Sequence, residues 1–238
     1  MTVAVIADCH IGGPGGPAGP LVEQLDELGR EGRCRHLVLL GDLFHVWVGA
    51  RQYETPEVVA VLEAVDRLRS GGVRVDYLEG NRDFFIAAGP YAARFDSVGL
   101  ELVFESGGRR FLAVHGDGLD AGDWRYRFWR FASKNRLSRT VAFALPSRWT
   151  RPFIHGTERR LAETNFEHKN RIPEEVIVEY ARRRLAEGPD LLLLGHFHDP
   201  MRWALPEGEV VLLEAWFHSR RIHWAERLAS SSPAEPSM

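Results

Sequence analysis

Cysteine is nearly absent. Cys9 and Cys34 are the only two in 238 residues, too few for a disulfide framework, so a reduced compartment is expected. Lysine is as scarce: of thirty basic residues only Lys134 and Lys169 are lysines. Arginine content therefore marks no segment by itself, and only an excess of charge is informative. No apolar run approaches 18 residues, which excludes a membrane-spanning helix. The N-terminus also lacks a basic region leading into a long apolar stretch. A candidate ligand stands already at Asp8, so removal of a leader would destroy the site, and none is expected. We see no internal repeat.

What is present is a recurrence. Five short apolar runs, Val3–Ala7, Leu37–Leu40, Val75–Leu78, Phe111–Val114 and Leu191–Leu194, each end in residues able to bind metal. The endings are Asp8-Cys9-His10, Gly41-Asp42, Gly80-Asn81-Arg82-Asp83, His115-Gly116-Asp117 and Gly195-His196-Phe197-His198. Runs of this length bounded by Gly or Asp read as buried strands. In open α/β sheets, sites are built at the C-terminal strand edge.

Helix and hairpin signals fill the intervals. Thr55-Pro56-Glu57 reads as an N-cap with proline in the first turn, followed by apolar spacing to a stop at Gly71-Gly72. Pro173-Glu174-Glu175 opens another helix, closed by Gly188-Pro189. Ser106-Gly107-Gly108 and Pro206-Glu207-Gly208 read as hairpin turns. Parallel βαβ units with added hairpins predict a mixed α/β sheet covered by helices. Gly12–Pro20 reads as a loop beside the first ligands. From Trp124 to Arg171 the strand pattern stops. That window holds twelve basic against three acidic residues, a local charge of +9, so the rest of the chain carries −12. Nine aromatics lie in it, a composition suited to an anionic, partly apolar partner. The Ser- and Pro-rich end from Ala229 is expected to be disordered.

At the end of a strand, period-two geometry predicts Asp8 and His10 on one face and Cys9 packing on the other. His196 and His198 repeat the device, with Phe197 turned away. Asp42 can bridge two cations through its two oxygens, and Asn81 offers a neutral amide oxygen. Such donors without thiolates fit Mn, Fe or Zn. Two ions roughly 3.5–4 Å apart would clamp a phosphoryl group and generate hydroxide near neutral pH. A single histidine after a strand is usually just a satisfied histidine, and a single Gly-Asp is usually a turn. Five such turns supplying one donor set carry the inference.

In this order the clusters resemble the calcineurin-like metallophosphoesterases, whose pattern D-x-H, G-D, G-N-[HR]-[DE], a lone His and G-H-x-H spans Asp8 to His198. The resemblance implies a four-layer αββα sandwich with mixed sheets. It places one ion on Asp8, His10, Asp42 and His198, and a second on Asp42, Asn81, His115 and His196. Many members carry His where this chain has Arg82, able to protonate an alkoxide. Arginine, with a pKa above about 12, cannot. It can hold phosphate oxygens, so Arg82 favours a phosphoanhydride over a simple phosphodiester.

Within that superfamily the chain is similar to the UDP-2,3-diacylglucosamine pyrophosphohydrolases of lipid A synthesis. The segments are Ile6–His10, Leu40–Phe44, Trp47 with Gly49, Gly80–Phe84, His115–Asp117, Asp123 with Tyr126, and Ala215-Trp216. This implies attack by water on the α-phosphate, manganese as the metal, and catalytic duties for Asn81, Arg82 and His115. It implies a peripheral position on the cytoplasmic face of the inner membrane, with no obligate protein partner. It also implies a core of 1–120 and 172–228, an inserted helical lid over 121–171 and a tail of 229–238. Substrate contacts would come from Asn81, Arg82, Asp123, Tyr126, Arg160, Asn165, Lys169 and His196. His45 stands where the family carries an acidic residue, and Phe197 where it carries a small polar one. Two other readings stay open. One is a related dinuclear phosphodiesterase or nuclease, which the basic aromatic window favours and Arg82 and the acidic balance oppose, or a pyrophosphatase acting on another nucleotide-linked substrate. The other is a non-catalytic scaffold, which the complete ligand set opposes. A protein phosphatase is disfavoured, because the Asp-Arg-Gly such enzymes carry does not follow Gly41-Asp42.

Overall fold

Strands buried on both faces organise the chain. The computed structural model describes residues 2–13, 15–119, 134–145 and 172–230. In the first half lie strands β1 (Val3–Ile6), β2 (His36–Leu40), β3 (Trp47–Val48), β4 (Arg74–Leu78), β5 (Asp83–Phe84) and β6 (Ser97–Gly99). They are followed by β7 (Glu101–Ser106), β8 (Arg109–Val114), β9 (Leu191–Leu194), β10 (Met201–Leu205), β11 (Gly208–Leu212) and β12 (His223–Trp224). The helices are α1 (Gly19–Glu31), α2 (Pro56–Ser70), α3 (Arg136–Ala144), α4 (Glu174–Leu185), and the short α5 (Trp216–Ser219) and α6 (Ala225–Ser230).

Two five-stranded sheets result. One has the order β12-β1-β2-β4-β6, parallel except for β12. The other has the order β10-β11-β9-β8-β7, with β8, β9 and β11 parallel and β7 and β10 joined as hairpin partners. Alternation along each strand sorts the side chains into three cores. Val3, Val5, Val38 and Leu40 meet Phe111, Ala113, Leu191 and Leu193 between the sheets. Their neighbours Ala4, Ile6, Leu37 and Leu39 pack on α1 and α2 through Leu21, Leu25, Val61 and Val65. On the far side, Leu112, Leu192, Leu194 and Leu212 pack on Ile177, Ala181 and Leu185 of α4. The layers therefore run helix, sheet, sheet, helix, as expected.

Local signals explain most boundaries. Thr55 Oγ1 accepts from Val58 N at 3.3 Å, capping α2 before Pro56. Both predicted hairpins form, with Gly107-Gly108 and Pro206-Glu207 as the turns. Two expectations need correction. Gly19 and Pro20 are not loop but open α1, because proline's fixed φ and missing N–H suit a first turn. Leu21, Leu25 and Leu28, at helical spacing, are all buried there. The tail does not begin at 229, because α6 runs through Ser230. Arg202 and Arg109 donate to the carbonyls of Leu228 and Ala229, satisfying its last turn. Residues 231–238 lie outside the described residues, as does most of the predicted insertion, of which 134–145 is described. No helix among the described residues is long and apolar enough to cross a membrane.

One charge sits within the sheet layer. Asp76 is fully buried and accepts from His36 Nε2, Arg74 Nε and Ser97 Oγ, each at 2.8 Å. Burial resists its ionisation, but the bonds from His36, Ser97 and Arg74 outweigh that and lower its pKa.

Two outcomes follow for stability. Leu193→Ala empties a fully buried position between the sheets and should cost about 3 kcal/mol in denaturant unfolding. Because the folded pKa of Asp76 is lowered, its contribution is present above the unfolded carboxylate value of about 3.9 and lost as pH falls through the folded value. Asp76→Asn should destabilise the protein near neutral pH and flatten the acid limb of its stability curve, measured by urea unfolding across pH.

Candidate metal centre

The five ligand clusters converge where the C-terminal ends of β1, β2 and β4 meet those of β8 and β9. The turns that carry them are unusual. Asp8, His10, Asp42, His196 and His198 all have positive φ, between 48° and 68°. Asp and His are among the residues that tolerate this left-handed region, at a cost of roughly 1–2 kcal/mol each. β1 ends at Ile6, so strand alternation is not what aligns Asp8 with His10; left-handed backbone does. Cys9 is turned into the core, and Phe197 packs on the α4 side, although its ring still meets that of His196 edge-on at a centroid distance of 5.3 Å.

Hydrogen bonds hold this backbone from both sides. Asp8 N, His10 N and Ile11 N donate to the carbonyls of Gly41, Asp42 and Leu43 at 3.3, 3.0 and 3.1 Å. On the opposite flank, Trp216 N and Phe217 N donate to the carbonyls of Ala7 and Asp8 at 2.8 and 3.2 Å. His196 N donates to Asp8 Oδ2 at 2.9 Å, linking the two sheets. Asp83, fully buried, accepts from Asp42 N at 2.9 Å and Gly80 N at 2.8 Å through one oxygen, tying two ligand turns together. Close approach requires two glycines. A Cβ on Gly41 would lie 2.3 Å from His115 Nδ1, and one on Gly80 2.3 Å from Asp42 Oδ1.

The donor atoms form two groups. In one, His10 Nε2 and His198 Nε2 are 3.3 Å apart, and Asp8 Oδ1 lies 3.4 Å from His198 Nε2 and 3.9 Å from His10 Nε2. Asp8 Oδ1 is buried and has no hydrogen-bond partner. An orphaned anionic oxygen facing two imidazole nitrogens is costly unless a cation satisfies all three. Ligands bonded to a cation at about 2.0–2.2 Å stand roughly 3–3.5 Å from each other, so the spacing fits. In the other group, Asp8, Asp42 and His115 offer atoms within 4.8 Å of one another. Asn81 Oδ1 lies 3.3 Å from His115 Nε2 and 3.0 Å from His196 Nδ1. His115 Nδ1 donates to the Leu40 carbonyl at 3.0 Å, which turns Nε2 toward the site.

Electrostatics agree with a site built for positive charge. Burial works against a proton on His115, yet the carboxylates of Asp42 and Asp8 prevail and raise its pKa to about 9. His196, buried and next to that charge, is pushed down to about 3. Burial alone would raise Asp8, but His115, His198 and His10 hold it well below the usual carboxylate range. Asp83 is raised to about 7 by burial and by Asp42.

All seven predicted ligands are thus brought together, and Arg82 joins them. Its backbone N donates to Asp42 Oδ1 at 2.9 Å, and its Nε lies 3.6 Å from Asp42 Oδ2. Asp123, Tyr126, Arg160, Asn165 and Lys169 lie outside the described residues. Three contributors were not assigned a role from sequence. Asp83 was visible within its cluster, but its bonds to two backbone amides leave no trace in residue type. Phe217 rests on the rings of His10 and His198 at centroid distances of 5.2 and 5.1 Å; its place directly after Ala215-Trp216 was the available signal. His45 lies beside His10, ring centroids 6.3 Å apart, and its carbonyl accepts from Arg82 Nη1 at 3.3 Å.

Comparison with known proteins bears on this geometry. The family model of calcineurin-like phosphoesterases matches residues 1–200. A Serratia proteamaculans protein named UDP-2,3-diacylglucosamine hydrolase is 31% identical over 189 residues, covering 76% of this chain and 77% of its own. A Pseudomonas putida protein of the same name is 32% identical over 182 residues, covering 71% and 72% respectively. A third, from Chromohalobacter salexigens, is 29% identical over 207 residues and covers 84% and 81%.

Gly80→Ala should abolish binding of at least one divalent ion while leaving the far-UV circular dichroism unchanged, because the added methyl meets a ligand oxygen. Metal content after dialysis checks it.

Proposed function

The chain belongs to the calcineurin-like phosphoesterase family, and from that premise we propose that it hydrolyses the pyrophosphate bond of UDP-2,3-diacylglucosamine, yielding UMP and 2,3-diacylglucosamine 1-phosphate. The relatives described above, named as hydrolases of this compound, support the substrate. Arg82 carries the choice of bond. Its side chain is 12% exposed and held beside Asp42, so a permanent cation with a planar fork of donors stands at the edge of the metal-directed cluster. It can bind phosphoryl oxygens and cannot act as an acid near neutral pH. A phosphate leaving group, unlike an alkoxide, needs little protonation.

Asp8, His10, Asp42 and His198 would hold one divalent ion, and Asp42, Asn81, His115 and His196 the other. When bound, the pair would neutralise phosphoryl charge and lower the pKa of water. The donor set, rich in oxygen and imidazole and free of thiolate, suits manganese. The residues themselves have separable duties. Asp42 would present an oxygen to each ion while Arg82 balances its charge. The Leu40 carbonyl keeps His115 in the tautomer that points Nε2 inward. Phe217 walls off the imidazoles of His10 and His198. Peripheral action at the cytoplasmic face of the inner membrane is part of the proposal, supported by the +9 charge and nine aromatics of residues 124–171 and by the two acyl chains of the substrate. Asp123, Tyr126, Arg160, Asn165 and Lys169 in or beside that window, with Asn81, Arg82 and His196, are the proposed substrate contacts.

Purified protein given Mn²⁺ and UDP-2,3-diacylglucosamine in detergent should release UMP. Activity confined to soluble nucleotides or nucleic acid would overturn the lipid substrate. Arg82→Ala should lower kcat on the pyrophosphate about 10²–10³-fold and affect a simple phosphodiester much less; equal losses would remove the argument for an anhydride. Stripping the metal with a chelator should lower both activity and thermal midpoint, and Mn²⁺ should restore both.

A further inference from the structure

Residues 134–145 lie within the predicted insertion, yet both ends of this segment are tied to the unit that carries Asn81 and Arg82. That unit is the two-stranded pair of β3 and β5. It is held together by Trp47 N donating to the Arg82 carbonyl at 2.9 Å and Gly49 N to the Phe84 carbonyl at 2.8 Å. At one end of the segment, Lys134 Nζ donates to the Gly80 carbonyl at 2.7 Å and stands 5.3 Å from the Phe84 ring centre. At the other, Gln52, four residues beyond β3, closes the C-terminus of α3. Its Nε2 donates to the carbonyls of Ala142 at 2.6 Å and Phe143 at 3.3 Å. Tyr53 adds a bond to Ala142 O at 3.3 Å, and Phe143 packs near Phe85, ring centroids 6.4 Å apart.

The Gly80 carbonyl is a sensitive place to hold. It belongs to the peptide group that leads into Asn81. The amide of the same residue bonds Asp83, which also bonds the amide of Asp42. Lys134 therefore ends a chain of contacts running through Gly80 and Asp83 to the turn of the bridging carboxylate. A Cβ on Gly80 would lie 2.3 Å from Asp42 Oδ1 and 2.8 Å from His115 Nε2, so the Gly80 backbone sits directly against two of the predicted ligands.

We propose that Lys134 is a positioning residue that couples docking of α3 to metal binding at Asn81, His115 and His196. Docked, α3 fixes the Gly80 peptide and favours the ion; bound, the ion favours the docked segment by the same factor, as linkage requires. The inference rests on the two-ion reading above.

The test uses the full chain, stripped of metal and titrated with Mn²⁺ by calorimetry, with hydrogen exchange of the 136–144 amides followed in parallel. In the unsubstituted protein two Mn²⁺ bind and exchange in 136–144 slows. Lys134→Met should weaken the second ion about 10-fold and remove the slowing, and Lys134→Arg should restore both. Gln52→Ala loosens α3 without touching Gly80 and should weaken the same ion in the same direction. Affinity within twofold of the unsubstituted protein in Lys134→Met overturns the proposal. So does faster exchange in Gln52→Ala with unchanged affinity, which would mean that docking and binding are independent. Fewer than two Mn²⁺ bound by the unsubstituted protein would instead overturn the two-ion reading beneath it.

Discussion

Left-handed backbone at five of the seven converging predicted ligands is the constraint on which the rest of the site depends. An L-residue enters that region reluctantly, and five in one site amount to a strain comparable with the net stability of a domain. It persists because the surrounding structure leaves no alternative. The Asp8–Ile11 turn is clamped by amide-to-carbonyl bonds against Gly41–Leu43 on one side and by Trp216 and Phe217 on the other. Those bonds require β1 beside β2 and the start of α5 beside both. The sheet order and the four layers are thus what allow the ligands to point inward.

The same crowding sets the electrostatics. Two carboxylates, Asp8 and Asp42, are buried beside four imidazoles, and burial and neighbouring charge shift Asp8, His115 and His196 away from their ordinary values. Burial disfavours a proton on His115, but Asp42 and Asp8 raise its pKa, whereas burial and then the neighbouring His115 lower that of His196. A divalent ion in each donor group would replace this compromise with a single arrangement in which carboxylates are ionised and imidazoles neutral.

Much of this was legible in the residues. The five apolar runs became β1, β2, β4, β8 and β9, because runs of Val and Leu buried on both faces have few other uses. The convergence of these residues was legible because acidic and imidazole residues at the ends of such runs are rarely accidental in groups of five. What was not legible depends on backbone rather than side chain. Period-two reasoning placed Asp8 and His10 together for the wrong reason, since alternation stops at Ile6. Asp83 serves two amides, Lys134 serves a carbonyl, and Gln52 serves a helix end. Peptide groups carry no sequence signature, so partners chosen for their peptide bonds are seen only once the fold is known. α1 was hidden by its Gly-Pro opening, although Leu21, Leu25 and Leu28 carried the spacing.

The clamp on the first ligand turn also has a temporal meaning. Asp8 and His10 are made at the start of synthesis, but the backbone contact that completes their turn comes from Trp216 and Phe217 at the start of α5, and His198, predicted to share an ion with them, is nearly as late. Contacts of such long sequence separation form slowly and only after most of the chain is available. A ribosome-bound chain that has folded β1, β2 and β4 would therefore present half a site, with Asp8 unsupported on one flank. If the site holds metal as proposed, capture would in this sense report completion: the predicted donors are all present only once His198 has been made, and Asp8 is supported on both flanks only once α5 has followed.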